Sequence, residues 1–175
     1  MSSAFDQARP CRPVVVSGSI DASVSDLWEA ISTPGNLEQA HPYCARNPVV
    51  RWPGPGSCDE VHYLCGWVYR REFTDWADGN GYDLTIGAEG EQSSKVSWRI
   101  ATTAPGGSTL SIAIWPRTVM GSVPPWLERS AQRAYVRPLL RRYLRSVVQG
   151  FDWYLATGRP VSDNQFGRHP WFSGR

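Results

Sequence analysis

The sequence predicts an α+β domain in which a curved, seven-stranded antiparallel sheet wraps around a long C-terminal helix, with two short helices after the first strand. Three observations predict it. Six short strand-like runs lie between residues 47 and 116 at hairpin spacing, separated by Gly, Pro, Asn and Asp clusters. A capped helix start directly follows the first strand-like run. Residues 136–155 carry a broad apolar face at helical period.

Val14–Ile20 is the first strand, with Val14, Val16 and Ile20 on one face and Gly18 marking a bulge or bend. Ser23 caps the helix that follows, and Asp26 three residues later completes a box-like pair. Val24, Leu27, Trp28 and Ile31 form its apolar face, and Thr33-Pro34-Gly35 ends it. A short helix from Asn36 to about Ala40 leads to His41-Pro42. Strands are expected at Asn47–Trp52, Cys58–Cys65, Trp67–Trp76, Tyr82–Ala88, Ser94–Thr103 and Thr109–Pro116. Asp78-Gly79-Asn80-Gly81 is the strongest turn signal among them. In the last helix, Val136, Leu140, Tyr143, Val147, Phe151 and Tyr154 share a face, Pro138 sits in the first turn, and Gly158 with Pro160 marks the stop. Arginines at 129, 133, 137, 141 and 145 drift around one continuous helix rather than forming a stripe. The helix is therefore expected to bend or break near Pro138, with Trp126–Tyr135 packing differently.

With 175 residues, 41% apolar and 19% charged, the chain suits one domain, 14–158, preceded by an N-terminal extension, 1–13. The tail, 159–175, is expected to pack on the domain, because Phe166, Trp171 and Phe172 would otherwise leave a sticky patch. No run approaches the roughly 18 apolar residues of a membrane span, so no integral membrane segment is expected. Met1–Pro13 lacks the apolar stretch of a secretory signal. Cys11, Cys44, Cys58 and Cys65 are too few for a disulfide framework, which points to a cytoplasmic protein with reduced thiols. Residues 1–92 carry a net −7 and residues 93–175 a net +9. Attraction between two halves of one domain accounts for this better than a nucleic-acid face, and no nucleic-acid partner is expected. Neither a nucleophile elbow, a phosphate loop nor a dinucleotide fingerprint is present, so no cofactor is expected. His41, Cys44, Cys58, His62 and Cys65 invite a zinc reading. Strand alternation, however, sends Cys58 and His62 to one face and Cys65 to the other, and no metal is expected.

The segment from Ile20 to Leu37 resembles the opening of the START/Bet v 1-like (SRPBCC) superfamily, and is most similar to its polyketide cyclase/dehydrase-like branch. A small-residue cap ends the strand, the helix carries Leu27-Trp28, and Thr33-Pro34-Gly35-Asn36-Leu37 matches a "D-P-x-x-L"-like step with Thr in place of Asp. Gly54-Pro55-Gly56 resembles that family's Gly-x-Gly turn. The resemblance spans roughly residues 14–157 and implies a helix-grip fold with a cavity between sheet and helix for an apolar or aromatic ligand. These motifs are structural, so they speak for fold and not for chemistry.

Alternation nominates the cavity wall. Trp67, Tyr69, Arg71 and Phe73 should face inward, as should Tyr63, Tyr82, Leu84, Trp98 and Ile112 from neighbouring strands and Tyr143 and Val147 from the helix. Arg71 needs a partner on such a wall: either a structural pairing with Asp59 or Asp75, or a ligand carboxylate or phenolate. Tyr63, Tyr69 and Trp98 could offer a ligand a stacking surface and a hydrogen-bond donor. Gly150, at the edge of the helix's inward face, permits close backbone approach or leaves room for a ligand. His41 lies near the expected cavity mouth, where a general base could sit, although a loop histidine without chemistry is the simpler reading. Catalytic residues are not identified. The expected function is binding of a small hydrophobic or aromatic molecule, lipid- or polyketide-like, in the cavity. The alternatives are an aromatase/cyclase- or dehydratase-type enzyme using the same cavity, and an interaction protein using the Arg-rich last helix. A homodimer is left open.

Overall fold

The computed structural model describes residues 12–116 and 132–174. The chain runs β1 (Val14–Ile20), α1 (Val24–Ser32), α2 (Leu37–Ala40), β2 (Cys44–Arg46), β3 (Val49–Arg51), β4 (Cys58–Tyr63), β5 (Val68–Ala77), β6 (Gly81–Gly87), β7 (Ser94–Thr103) and β8 (Gly107–Trp115). A π-helical turn (Gln132–Val136) then opens α3 (Arg137–Thr157). The strands form one antiparallel sheet in the order β1-β8-β7-β6-β5-β4-β2, with β3 also paired to β4. The sheet curves but does not close, and α3 packs on it in the helix-grip manner. Among the described residues no helix is long and apolar enough to cross a membrane.

Local chemistry explains most boundaries. Ser23 Oγ accepts the Asp26 N–H at 3.1 Å and donates to the Asp26 carboxylate at 2.7 Å, which caps α1. Pro138 stands in the first turn of α3, where its missing N–H costs nothing, and Gly158 ends the helix in the left-handed conformation at φ 65°. The expected break near Pro138 is the π-helical turn. Leu144, Val147 and Phe151 are buried on the inner face of α3, each contributing roughly 1.5–3 kcal/mol of hydrophobic stabilisation. On the outer face Arg141 and Arg145 are exposed. Arg137 donates to the Arg12 and Pro13 carbonyls at 2.7 and 2.9 Å, and Arg142 to the Arg168 carbonyl at 2.7 Å. Expectations placed on residues 1–11, on residues 126–131 and on the side chain of Arg133 lie outside the described residues.

Two local expectations are corrected. The strand expected at Asn47–Trp52 is only the three-residue β3, and β2 precedes it as a strand not expected; the two pieces each pair irregularly to β4, so the sheet has eight strands rather than seven. Pro48 lies between the pieces and has no N–H to donate to a ladder, while Asn47 Nδ2 bonds across to the Glu60 carbonyl at 2.7 Å. In β5, Phe73 faces Leu84 and Asp75 faces Asp83, which leaves Thr74 as an extra residue. This bulge flips the alternation, so Trp76 rather than Asp75 turns inward. There it meets Trp28, Trp52, Phe73 and Tyr82, with ring centroids 5.2–5.5 Å away.

Two glycines set how closely α3 can sit. A Cβ on Gly150 would lie 1.9 Å from the Ala40 carbonyl oxygen, and one on Gly18 would lie 2.7 Å from Val148 Cγ1. Gly150 is therefore a backbone contact with the end of α2 rather than room for a ligand. We predict that Gly150→Ala destabilises the fold by at least about 2–3 kcal/mol, read by chemical denaturation, because a main-chain carbonyl cannot step aside as a side chain can. A loss under about 0.5 kcal/mol would mean that the helix is not seated this tightly.

Candidate functional site

The aromatic cluster around Trp76 fills one part of the space between sheet and helix, and Trp98 borders it, edge-on to Phe151 at 5.4 Å. Beyond Trp98 the space is hollow. A cavity of about 830 Å³ lies between the inner face of the sheet and the N-terminal half of α3 with the π-helical turn before it, where Val136, Leu140, Tyr143, Leu144 and Val147 line it. That is within the range of small-molecule sites.

Nine of the eleven nominated residues line this cavity: Tyr63, Trp67, Tyr69, Arg71, Leu84, Trp98, Ile112, Tyr143 and Val147. Trp67 precedes β5 at the rim, 46% exposed, with its ring stacked on Tyr69. Phe73 and Tyr82 do not line it. Both are buried in the aromatic cluster, where the β5 bulge brings Trp76 against them.

Arg71 is paired by Asp59, which stands directly opposite it on β4. Arg71 Nε donates to Asp59 Oδ1 at 2.7 Å and Nη2 donates to Oδ2, with both side chains buried. Of the partners expected for Arg71, Asp59 is therefore the one found. Burial opposes the guanidinium charge, but Asp59 more than offsets this and raises the Arg71 pKa above its ordinary value. The ion pair makes that part of the wall polar yet locally neutral.

His41, expected near the cavity mouth as either a general base or a plain loop histidine, is buried and lines the cavity. Its Nδ1 accepts the Tyr43 backbone N–H at 3.1 Å. An amide can only donate, so Nδ1 carries no proton and the neutral ring is protonated at Nε2. Nε2 then donates to Tyr143 Oη at 2.9 Å, and Tyr143 Oη lies 3.0 Å from Tyr63 Oη. Burial and the nearby Arg71 charge lower the His41 pKa to about 3. Burial raises both phenols, Tyr143 and Tyr63, and pushes the Cys44 thiol up to about 12. At neutral pH the wall therefore presents hydrogen-bonding groups, with no free imidazolium, phenolate or thiolate among these residues.

The tail supplies a further wall that alternation could not reveal. Phe172 is buried, stacked on Tyr63 at 4.5 Å and tilted on Tyr143 at 4.6 Å, and lines the cavity with Trp171. His169 Nε2 donates to the Leu139 carbonyl at 3.1 Å, Tyr43 Oη donates to the Gly167 carbonyl at 2.9 Å, and the Asn164 N–H reaches the Pro42 carbonyl at 2.8 Å. The aromatic density of the tail was the available signal.

Residues 13–151 match the family model described as polyketide cyclase/dehydrase and lipid transport. No curated protein sequence matches the chain. Among solved structures it is similar to DynU16, a protein of the dynemicin biosynthetic locus, at 19% identity and a TM-score of 0.62, covering 86% of this chain and 49% of that one. The chain thus spans about half of DynU16. It is also similar to the KanY protein, at 14% identity and TM-score 0.60 over 83% of this chain and 98% of that one. A protein of unknown function from Staphylococcus aureus, SA2116, aligns at 11% identity and TM-score 0.66 over 83% and 94%. At these identities the structures speak for the fold alone.

Two predictions follow from the buried polar groups. Asp59→Ala strands a buried guanidinium and should cost about 3–5 kcal/mol in denaturation, whereas Asp59→Leu with Arg71→Met should recover most of that loss. A double variant as unstable as the single one would contradict the pairing. His41 binds a proton near pH 6.5 when unfolded and near 3 when folded, so its contribution is complete above pH 6.5 and lost as pH falls toward 3. Over that window wild-type stability should fall up to about 1.4 kcal/mol per pH unit more steeply than that of His41→Gln. Parallel pH profiles would show that His41 is not held neutral.

Proposed function

Because the chain belongs to the polyketide cyclase/dehydrase and lipid transport family, we propose that it binds a small hydrophobic or aromatic molecule, lipid- or polyketide-like, in the sheet–helix cavity. One observation carries this reading: a partly open hollow of about 830 Å³ between sheet and helix, lined mainly by apolar and aromatic side chains. The wall suits an apolar guest. Leu84, Ile112, Leu144 and Val147 supply area, and the rings of Tyr69, Trp98 and Phe172 supply stacking surfaces. The free thiols of Cys44, Cys58 and Cys65 are compatible with the cytoplasmic setting that this reading assumes.

A second reading, aromatase/cyclase- or dehydratase-type chemistry in the same cavity, is favoured by His41, Tyr63, Arg71 and Tyr143, four polar side chains on the wall. Phenolic donors can polarise a reacting carbonyl. The neutral His41 and the Asp59-paired Arg71 leave proton abstraction without an evident base among them. The interaction-protein reading through the last helix is the least supported, since Arg137 and Arg142 are engaged with carbonyls of the same chain.

The test uses the neutral fluorophore N-phenyl-1-naphthylamine. Its emission should rise on binding the wild-type protein, and Val147→Phe, which extends a ring into the cavity, should weaken binding at least about tenfold while circular dichroism stays native. No emission change with the folded wild type, or undiminished binding to Val147→Phe, would count against an internal site.

A further inference from the structure

The phenols of Tyr63 and Tyr143 hold more protons than the described residues offer acceptors for. His41 Nε2–H donates to Tyr143 Oη, and a single 3.0 Å hydrogen bond joins the two phenols. If Tyr143 donates in that bond, the Tyr63 proton has no acceptor among the described residues. If Tyr63 donates, the Tyr143 proton is left over instead. Both residues line the cavity, so either way one buried phenolic O–H remains there without an acceptor among the described residues. The rings cannot readily turn away. Phe172 stacks on Tyr63 and packs against Tyr143, Tyr69 meets Tyr63 edge-on at 5.4 Å, and His41 is itself anchored to the Tyr43 amide.

We propose that the Tyr63–Tyr143 pair is the polar subsite of the cavity and takes the carbonyl oxygen of an uncharged ligand, a ketone or quinone, in preference to a carboxylate. A carbonyl only accepts, which is what the spare phenolic proton requires. The charge distribution argues against an anion. Arg71 is the cationic side chain among the described lining residues, and its Nε and Nη2 already hold both oxygens of Asp59. His41 is neutral because Nδ1 is occupied by the Tyr43 amide, and Glu91 at the cavity edge adds negative charge. A carboxylate would therefore enter a largely apolar site without a countercharge to replace its water.

This inference rests on the cavity-binding reading, and the test separates the two. N-phenyl-1-naphthylamine is displaced at pH 7.5 by 2-acetylnaphthalene, 2-ethylnaphthalene or 2-naphthoate, probes of one skeleton that carry a carbonyl, no oxygen or a carboxylate. The wild-type protein should bind the ketone at least about tenfold more tightly than the naphthoate. The ratio of ketone to ethylnaphthalene affinity should fall about five- to tenfold in Tyr63→Phe/Tyr143→Phe, the loss expected for one buried hydrogen bond. Both phenols must be replaced, because removing either one leaves a proton on the other, and the ratio is compared in a His41→Leu background, because loss of Tyr143 Oη would otherwise free the His41 Nε2–H to donate in their place. As a check that needs no variant, the carbonyl stretch of 2-acetylnaphthalene bound to wild type should lie at lower wavenumber than in a hydrocarbon solvent. An unchanged affinity ratio, an unshifted stretch, or naphthoate binding as tight as the ketone would overturn the subsite while fluorophore binding still upheld the cavity. Failure of the fluorophore to bind would remove the cavity reading and this inference together.

Discussion

The seating of α3 on its two glycines is the constraint on which the rest of the structure depends. At Gly150 the helix backbone comes so near the Ala40 carbonyl that no side chain fits between them, and Gly18 similarly accommodates Val148. These contacts hold the C-terminal half of α3 against β1 and α2, where Phe151 closes on Trp98. The N-terminal half lines the hollow instead. One end of the interface is thus solid and the other open, and the position of the cavity follows from where the helix is pinned rather than from a general looseness of the core.

The open end contains polar groups whose charges are dealt with locally. Asp59 neutralises Arg71 across a single strand pair, and His41 avoids charge through the tautomer that the Tyr43 amide imposes. What remains facing the hollow is directional hydrogen bonding on a largely apolar wall. In a low-dielectric site this distinguishes guests by the placement of one oxygen more than by net charge.

Tyr43 connects that wall to the tail. Its amide orients His41, while its phenol, which lies 3.0 Å from Ser146 Oγ, donates to the Gly167 carbonyl. The tail in turn delivers Trp171 and Phe172 to the cavity and lays Phe172 on both phenols. The segment beyond α3 is thus part of the site's construction, and the family-model match, which ends at residue 151, does not extend to it.

The sequence by itself determined the element order, the cap at Ser23, the stop at Gly158 and most of the inward-facing residues, because alternation, capping and turn chemistry act over a few neighbours. It placed Arg71 inward and named Asp59 among its partners for the same reason. Where a local irregularity intervened, the reading slipped: β2 was missed and the strand after Pro48 shrank to three residues, and the extra residue in β5 turned Trp76 inward against Phe73 and Tyr82. Only the tertiary structure decided that Gly150 touches a backbone, that His41 is buried and bonded to a phenol 102 positions away, and that Phe172 caps Tyr63. Those contacts join segments far apart in the chain, and their geometry follows from how the helix, the sheet and the tail settle against one another, which no local periodicity encodes.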